Sequence, residues 1–305
     1  MPSLTLFTAP KPFTDPHIAM IQRNALHSWK QLGEEAEILL VGDETGMAEI
    51  AAELQLKHNP QVKCNSQGTP LVSSIFELAR RYSESPLLAY LNADILIFPD
   101  FLEMAKKVAQ QAQDFLVIGQ RWDLDVKSPL NFTPGWESRL QEEVKKWGRQ
   151  HRPAGSDYFI FPRHLFREIP EFAIGRAGWD NWMIYHARQQ GWRVVDATPS
   201  LLVIHQEHHY NHLPGGQPHF NLEESQLNMA LAGGSHTMYT VLDSDWQLID
   251  GKLHPPRLSL LRMLRKAENW FTPKTGERKG FLWALARRFR RFRRKMDKGH
   301  GTARH

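Results

Sequence analysis

The chain has 305 residues, 41% of them hydrophobic and 10% aromatic, enough for a large core and too apolar for wholesale disorder. No run of about 18 apolar residues occurs, so no membrane-spanning helix is expected, and the N-terminal MPSLTLFTAPKPF lacks the basic and long apolar regions of a signal peptide. The net charge of +5 is unevenly placed: residues 281–295 carry seven Arg or Lys and no acid, so the basicity belongs to a tail and the body is nearly neutral. The single cysteine, Cys64, excludes an internal disulfide and makes the cytoplasm the expected compartment.

In chain order, SLTLFTAP (3–10) alternates and breaks at proline, as a first strand running into a loop does. Residues 16–32 place Ile18, Ile21, Ala25, Trp29 and Leu32 at helical spacing behind Pro16. AEILLVGD (36–43) reads as a buried parallel strand, and residues 46–55 as a second helix. Residues 69–85 predict a third helix, with Thr69 as N-cap and Pro70 at its first position. LLAYLNADILIFPDF (87–101) reads as a buried strand with a polar fault at Asn92 and Asp94, followed by a helix over 100–112 and a strand over 114–122. A helix over 136–147, a strand within 155–166, a helix over 180–191 and an apolar pair within 192–206 complete the pattern. Repeated alternation of strand and helix predicts an α/β fold with a mostly parallel central sheet.

Thr8, Gly42-Asp43 and Asn92-Asp94 fall at the C-terminal ends of predicted parallel strands, where open α/β sheets bind ligands. Neither Gly-x-Gly-x-x-Gly after the first strand nor a Gly-Lys-Ser/Thr loop is present. Phosphate charge must therefore be met another way, and a divalent cation on a carboxylate is the usual solution. Asp94, lodged in an apolar strand, is the carboxylate that needs such a partner.

LAYLNADILIFPDFLE (88–103) resembles the Asp-x-Asp segment of GT-A nucleotide-sugar glycosyltransferases of the bacterial, family 2-like kind, with Asn92 in place of the first Asp. Two later segments extend the likeness. GRAGWDNWMIYHARQQGWRVVDATPSLLVIHQEHHYNHLPGG (175–216) is similar to the acceptor-side half of those enzymes, and AGSDYFIFPRHLF (154–166) to the segment lining donor sugar and acceptor. The resemblance covers residues 3–216 and implies a GT-A fold and a hexosyltransferase using a nucleotide-sugar donor, a UDP-sugar first, on a glycan or lipid-linked acceptor. It implies Asp94 and His205 as ligands of Mn2+ or Mg2+, and Asp180 as the base of an inverting transfer. Asp157, Trp179, Asn181 and Trp182 would line the sugar and acceptor. Thr8, Ala9, Pro10 and Asp43 would surround the nucleoside, with Arg23, Gln67, Gly68, Thr69, Asn92 and Ala93 also meeting the nucleotide.

Blander readings stand beside these. Asp180 also suits an N-cap of the following helix, and His205, His208, His209 and His212 could form a zinc site of their own. Within the fold a sugar-1-phosphate nucleotidylyltransferase is the nearest alternative, although FTAPKPF lacks the glycines of that class; outside it stands a non-catalytic anion- or nucleic-acid-binding protein. Residues 1–245 are expected to form the GT-A domain and 246–305 an extension. Its segment 280–296 aligns Phe281, Leu285, Phe289, Phe292 and Met296 on one helical face among arginines. That pattern fits a helix lying on the anionic inner face of a membrane, and less well one gripping nucleic acid.

Overall fold

The computed structural model describes residues 1–208, 222–274 and 279–298. The chain begins β1 (Leu4–Thr8), α1 (Pro16–Lys30), β2 (Ala36–Val41), α2 (Met47–Leu54), β3 (Lys57–Asn59), α3 (Val72–Tyr82), β4 (Leu87–Leu91). It continues through β5 (Ile95–Leu96), α4 (Asp100–Ala109), β6 (Phe115–Ile118), β7 (Trp122–Leu124), α5 (Trp136–Trp147), β8 (Arg149–Gln150) and β9 (Tyr158–Pro162). The last part holds α6 (Trp179–Gln189), β10 (Arg193–Asp196), β11 (Ile204–Gln206), α7 (Glu223–Leu231), β12 (Trp246–Ile249), β13 (Lys252–His254), α8 (Leu260–Phe271) and α9 (Gly280–Lys298).

Nine strands form the main sheet in the order β13-β12-β10-β6-β9-β4-β1-β2-β3. Its pairings are parallel except where β9 runs antiparallel between β4 and β6, and at the terminal β12–β13 hairpin. The expected α/β fold with a mostly parallel sheet is what the chain adopts. Alternation along the strands serves two cores, one on each face: Leu4, Leu6, Ile38 and Leu40 pack with Trp29 of α1, whereas Phe7, Leu39 and Val41 pack with Ile75 and Phe76 of α3. The start of α1 follows from Asp15, whose side chain accepts a hydrogen bond from Ile18 N at 2.9 Å, and from Pro16 in the first turn.

The expected single strand over 87–101 is two strands in two sheets. β4 ends at Leu91, the chain turns with Ile95 N donating to Asn92 O, and β5 pairs antiparallel with β11 in a second sheet ordered β5-β11-β7-β8. Trp29 Nε1 donates to Ile95 O at 2.8 Å and pins that departure to α1. The expected 114–122 strand divides the same way, β6 staying in the main sheet and β7 joining the second. α3 starts later than its sequence suggests. Asn65 Oδ1 accepts from Gln67 N and Thr69 N, which holds Thr69 and Pro70 in a loop, and Leu71 is the N-cap. β3, α7, β12, β13 and α8 had no clear sequence signal, and β12 pairs onto β10 within the main sheet.

The C-terminal arginines pack inward. α8 and α9 lie against each other, with Phe271 and Phe289 stacked at 5.7 Å. Glu268, 1% exposed, accepts from Arg265 (2.9 Å), Arg290 (2.7 Å) and Arg293 (2.9 Å). Burial alone would raise the Glu268 pKa, but the three guanidinium groups bring it below its ordinary value. Glu268→Gln, which leaves these cations short of their shared counter-charge, is expected to cost about 3–5 kcal/mol. Urea denaturation measures the loss, and faster amide exchange across residues 280–298 than in the central sheet locates it at α9.

Candidate active site

β1, β2 and β4 run parallel and end on the same side, so the turns after them meet in one crevice. The crevice is a cavity of about 950 Å³. Ala9, Pro10, Gln67, Gly68, Thr69, Asn92, Ala93, Asp94, Asp157, Trp179, Asp180, Asn181 and His205 all line it. Most of the residues named from the sequence therefore converge, although they come from segments more than 100 positions apart.

At one end, Asp94 follows β4 and faces β11. His208 Nε2 lies 3.1 Å and His205 Nε2 3.7 Å from Asp94 Oδ2, and one donor atom from each of the three residues falls within 4.8 Å of the others. Asp94 Oδ1 is buried and meets no hydrogen-bond donor among the described residues. On its far side the His205 ring faces Asp123, with Nδ1 3.2 Å from Oδ1, the arrangement that orients imidazole ligands of metals. One carboxylate oxygen and two imidazole nitrogens are suitable donors for a divalent cation. Burial pushes the Asp94 pKa up, but His205, His208 and Lys11 outweigh it and hold the carboxyl ionised. His208, left among the alternatives by sequence, joins Asp94 as closely as His205 does; His209 and His212 lie outside the described residues.

At the other end stands Asp180, the second residue of α6. The helix N-cap is Gly178 at φ 108°, so Asp180 is not the cap its sequence allowed. Gly155 packs so closely that a Cβ there would sit 1.7 Å from Asp180 Oδ2, which makes glycine a requirement of the Asp180 position. Burial, reinforced by the charge of Asp157, pushes the Asp180 pKa from 3.8 up to about 6, against backbone N–H groups of the helix start that pull it down. Trp179 stands edge-on to Tyr90 at 5.1 Å, and Asn181 Nδ2 donates to Tyr239 O at 2.6 Å.

Between the two ends runs a chain of charges. Asn92 Nδ2 donates to Asp157 Oδ1 at 2.8 Å, Arg121 Nη1 donates to the same oxygen at 2.6 Å, and Arg121 Nε donates to Asp123 at 2.9 Å. His151 Nδ1 lies 2.9 Å from Asp123. Asn92 thus serves Asp157, while Asp94 alone of this pair stands among the histidines.

Four sequence expectations fail on geometry. Arg23 forms a two-pronged ion pair with Glu53 at 2.6 and 2.9 Å on the exposed α1–α2 surface, outside the cavity. Asp43 is exposed, and its neighbours Gly42 and Glu44 line the wall in its place. Thr8 is wholly buried beneath the site, with Oγ1 facing no donor or acceptor among the described residues. Trp182 packs on Phe172 and His186 behind α6. Conversely, Lys11, Arg121, His151 and Gly155 line the cavity without having been singled out. Lys11 sits in the same APKP stretch as Ala9 and Pro10, and a lone lysine in a loop carries no signal until its burial, which lowers its pKa, is seen.

No protein-family model matches the chain, and no curated protein does. Solved structures similar to it include S. aureus TarS 1-349 in complex with UDP-GlcNAc (11% identity, TM-score 0.49, 88% of this chain and 72% of that one). Another is glucosyl-3-phosphoglycerate synthase of Mycobacterium tuberculosis (14%, TM-score 0.48, 85% and 89%). A third is the Pyrobaculum calidifontis mannosyltransferase PcManGT with GDP-Man and Mn2+ (15%, TM-score 0.42, 69% and 58%). The chain spans 58% of that mannosyltransferase and 48% of a second TarS 1-349 structure.

Because native Asp180 holds its proton more tightly than the unfolded chain does, the stability this contributes is fully present below pH 3.8 and is lost as pH rises through about 6. At neutral pH the ionised carboxylate costs about 3 kcal/mol. Asp180→Asn is expected to be more stable than the wild type by that amount at pH 7, and to lose the advantage below pH 4, in chemical denaturation across the pH range.

Proposed function

We propose that the chain is a GT-A glycosyltransferase that moves a sugar from a nucleotide-diphosphate donor, a UDP-sugar first, to a glycan or lipid-linked hydroxyl with inversion. The observation that carries this reading is the pairing, in one cavity, of an Asp94–His205–His208 cation site with a second carboxylate, Asp180, whose pKa is raised to about 6. Asp94, His205 and His208 would hold Mn2+ or Mg2+. Held there, the cation would supply positive charge to offset that building on a leaving diphosphate. Lys11, lining the same cavity near Asp94, gives the diphosphate a second cationic contact.

Asp180 accepts the acceptor's hydroxyl proton. As the hydroxyl oxygen bonds to the anomeric carbon, the bond from that carbon to the diphosphate oxygen breaks and the nucleoside diphosphate leaves with the electron pair. A carboxylate with a pKa near 6 is still mostly ionised at neutral pH, yet is a stronger base than an ordinary aspartate. Asp157, fixed by Asn92 and Arg121, would contact sugar hydroxyls, with Trp179 lining the same cavity. Ala9, Pro10, Gln67, Gly68 and Thr69 form the wall for the nucleoside.

Calorimetry with UDP-, GDP- and dTDP-sugars is expected to show binding of one of them that strengthens when Mn2+ is added. Asp94→Asn and His208→Ala should lower that metal-dependent component about 10- to 100-fold. Asp180→Asn should keep donor binding while transfer falls about 100- to 10,000-fold. No manganese-dependent binding to any of the three donors would overturn the reading.

The exposed side of the C-terminal pair supports a peripheral place for the enzyme. Among the described residues no helix is long and apolar enough to cross a membrane. Leu258, Met263, Trp270, Phe281, Leu282 and Phe292 are nonetheless exposed beside the exposed Arg287, Arg288 and Arg291. Apolar side chains rimmed by arginines suit an anionic lipid surface. Vesicles containing phosphatidylglycerol should bind the protein more tightly than phosphatidylcholine vesicles. Phe281→Ser with Phe292→Ser should weaken that binding, and equal binding by the double variant would refute it.

A further inference from the structure

The inner side of α9 forms part of the cavity wall. Arg290, Arg293 and Arg294 line the same cavity as Asp94 and Asp180, with Arg152 from the loop after β8. The sequence reads these arginines of α9 as the polar face of a helix lying on a membrane; the fold turns them toward the site. Arg293 is committed through Nε and Nη2 to Glu268. Arg290 gives Glu268 only its Nε, which leaves both terminal amino groups for another partner. Arg294 and Arg152 make no side-chain hydrogen bond or ion pair among the described residues.

Charge on this wall does not balance. Arg152, Arg265, Arg290, Arg293 and Arg294 face the cavity with Glu268 and Asp297, and Asp243 behind the wall pairs with Arg265, so five cations meet three carboxylates. Arg294 lies close enough to Arg290, Arg293 and Arg152 that their repulsion, added to its burial, lowers its pKa. Like charges gathered in a partly desolvated wall cost free energy that an anion would recover. Arginine also suits phosphate above other anions, because its planar fork can bind two oxygens at once.

Resting on the glycosyl-transfer reading, we infer that Arg152, Arg290 and Arg294 form a subsite for a phosphate group carried by the acceptor. The donor's diphosphate would have its own groups in Asp94, its histidines and Lys11, which leaves Arg152, Arg290 and Arg294 for a second phosphate. The phosphate could come from a soluble phosphorylated molecule or from the head of a lipid carrier; both present the same tetrahedral oxyanion.

The test uses the full chain in EDTA, so that no cation draws phosphate to the donor end. Binding of sn-glycerol 3-phosphate and of a soluble short-chain prenyl phosphate is measured for the wild type and three variants. Arg152→Gln with Arg294→Gln is expected to weaken binding of both probes about tenfold or more. Arg287→Gln with Arg288→Gln, on the exposed side of the same helix, should leave it unchanged, which separates a built site from general attraction to a basic helix. Tighter binding of the prenyl phosphate assigns the lipid source, and equal binding the soluble one. No phosphate binding by the wild type, an equal loss in both arginine pairs, or a loss confined to Lys11→Gln overturns the subsite. Manganese-dependent donor binding by the Arg152→Gln, Arg294→Gln protein should stay at the wild-type level; it tests the glycosyl-transfer reading separately, since either result can fail without the other.

Discussion

The carboxylate of Asp123 is the fixed point on which the cleft depends. It sits on β7, 5% exposed, and draws together Arg121 at 2.9 Å, His151 at 2.9 Å and His205 at 3.2 Å. Burial of a lone carboxylate would push its proton affinity up; here three cationic or donor groups bring it far down, so the site keeps a permanent negative charge. Through His205 that charge orients one side of the Asp94–His205–His208 cluster. Through Arg121 it reaches Asp157 and then Asn92, beside the turn that carries Asp94. A single buried acid thus sets the geometry of groups just outside β4, β7, β8 and β9 and of His205 on β11.

The same cleft drives two aspartates in opposite directions. Asp94 has cationic and donor neighbours and stays ionised; Asp180 has an acidic neighbour, an apolar enclosure and a raised pKa. Two carboxylates that are chemically identical in the chain thus differ in proton affinity through their surroundings alone. Gly155 maintains it, since any side chain at that position would push Asp180 from its place.

The tail shows how composition can mislead about location. Seven basic residues in fifteen positions read as a solvated or lipid-facing helix. In the fold, Glu268 binds Arg290 and Arg293, turns one side of α9 inward and leaves Phe281 and Phe292 on the other. The helix has two distinct faces, and charge pairing rather than amphipathic spacing decides which is which.

Local pattern determined much of this protein. Alternating apolar strands and amphipathic helices specified an α/β sheet, because a buried parallel strand and a one-faced helix have different periods legible in any window of the chain. The polar fault at Asn92-Asp94 was visible because charge inside an apolar run needs a partner, whereas Asp180 and His205 stood out only through the family resemblance of their segment. Which partner it finds was decided only in three dimensions. Nothing in the sequence told that Asn92 would hold Asp157, that Arg23 would be taken by Glu53, that His208 would stand beside Asp94, or that arginines from α9 would face the cavity. Those pairings join residues far apart in the chain, and their strength depends on distance and burial, which exist only once the fold has closed around them.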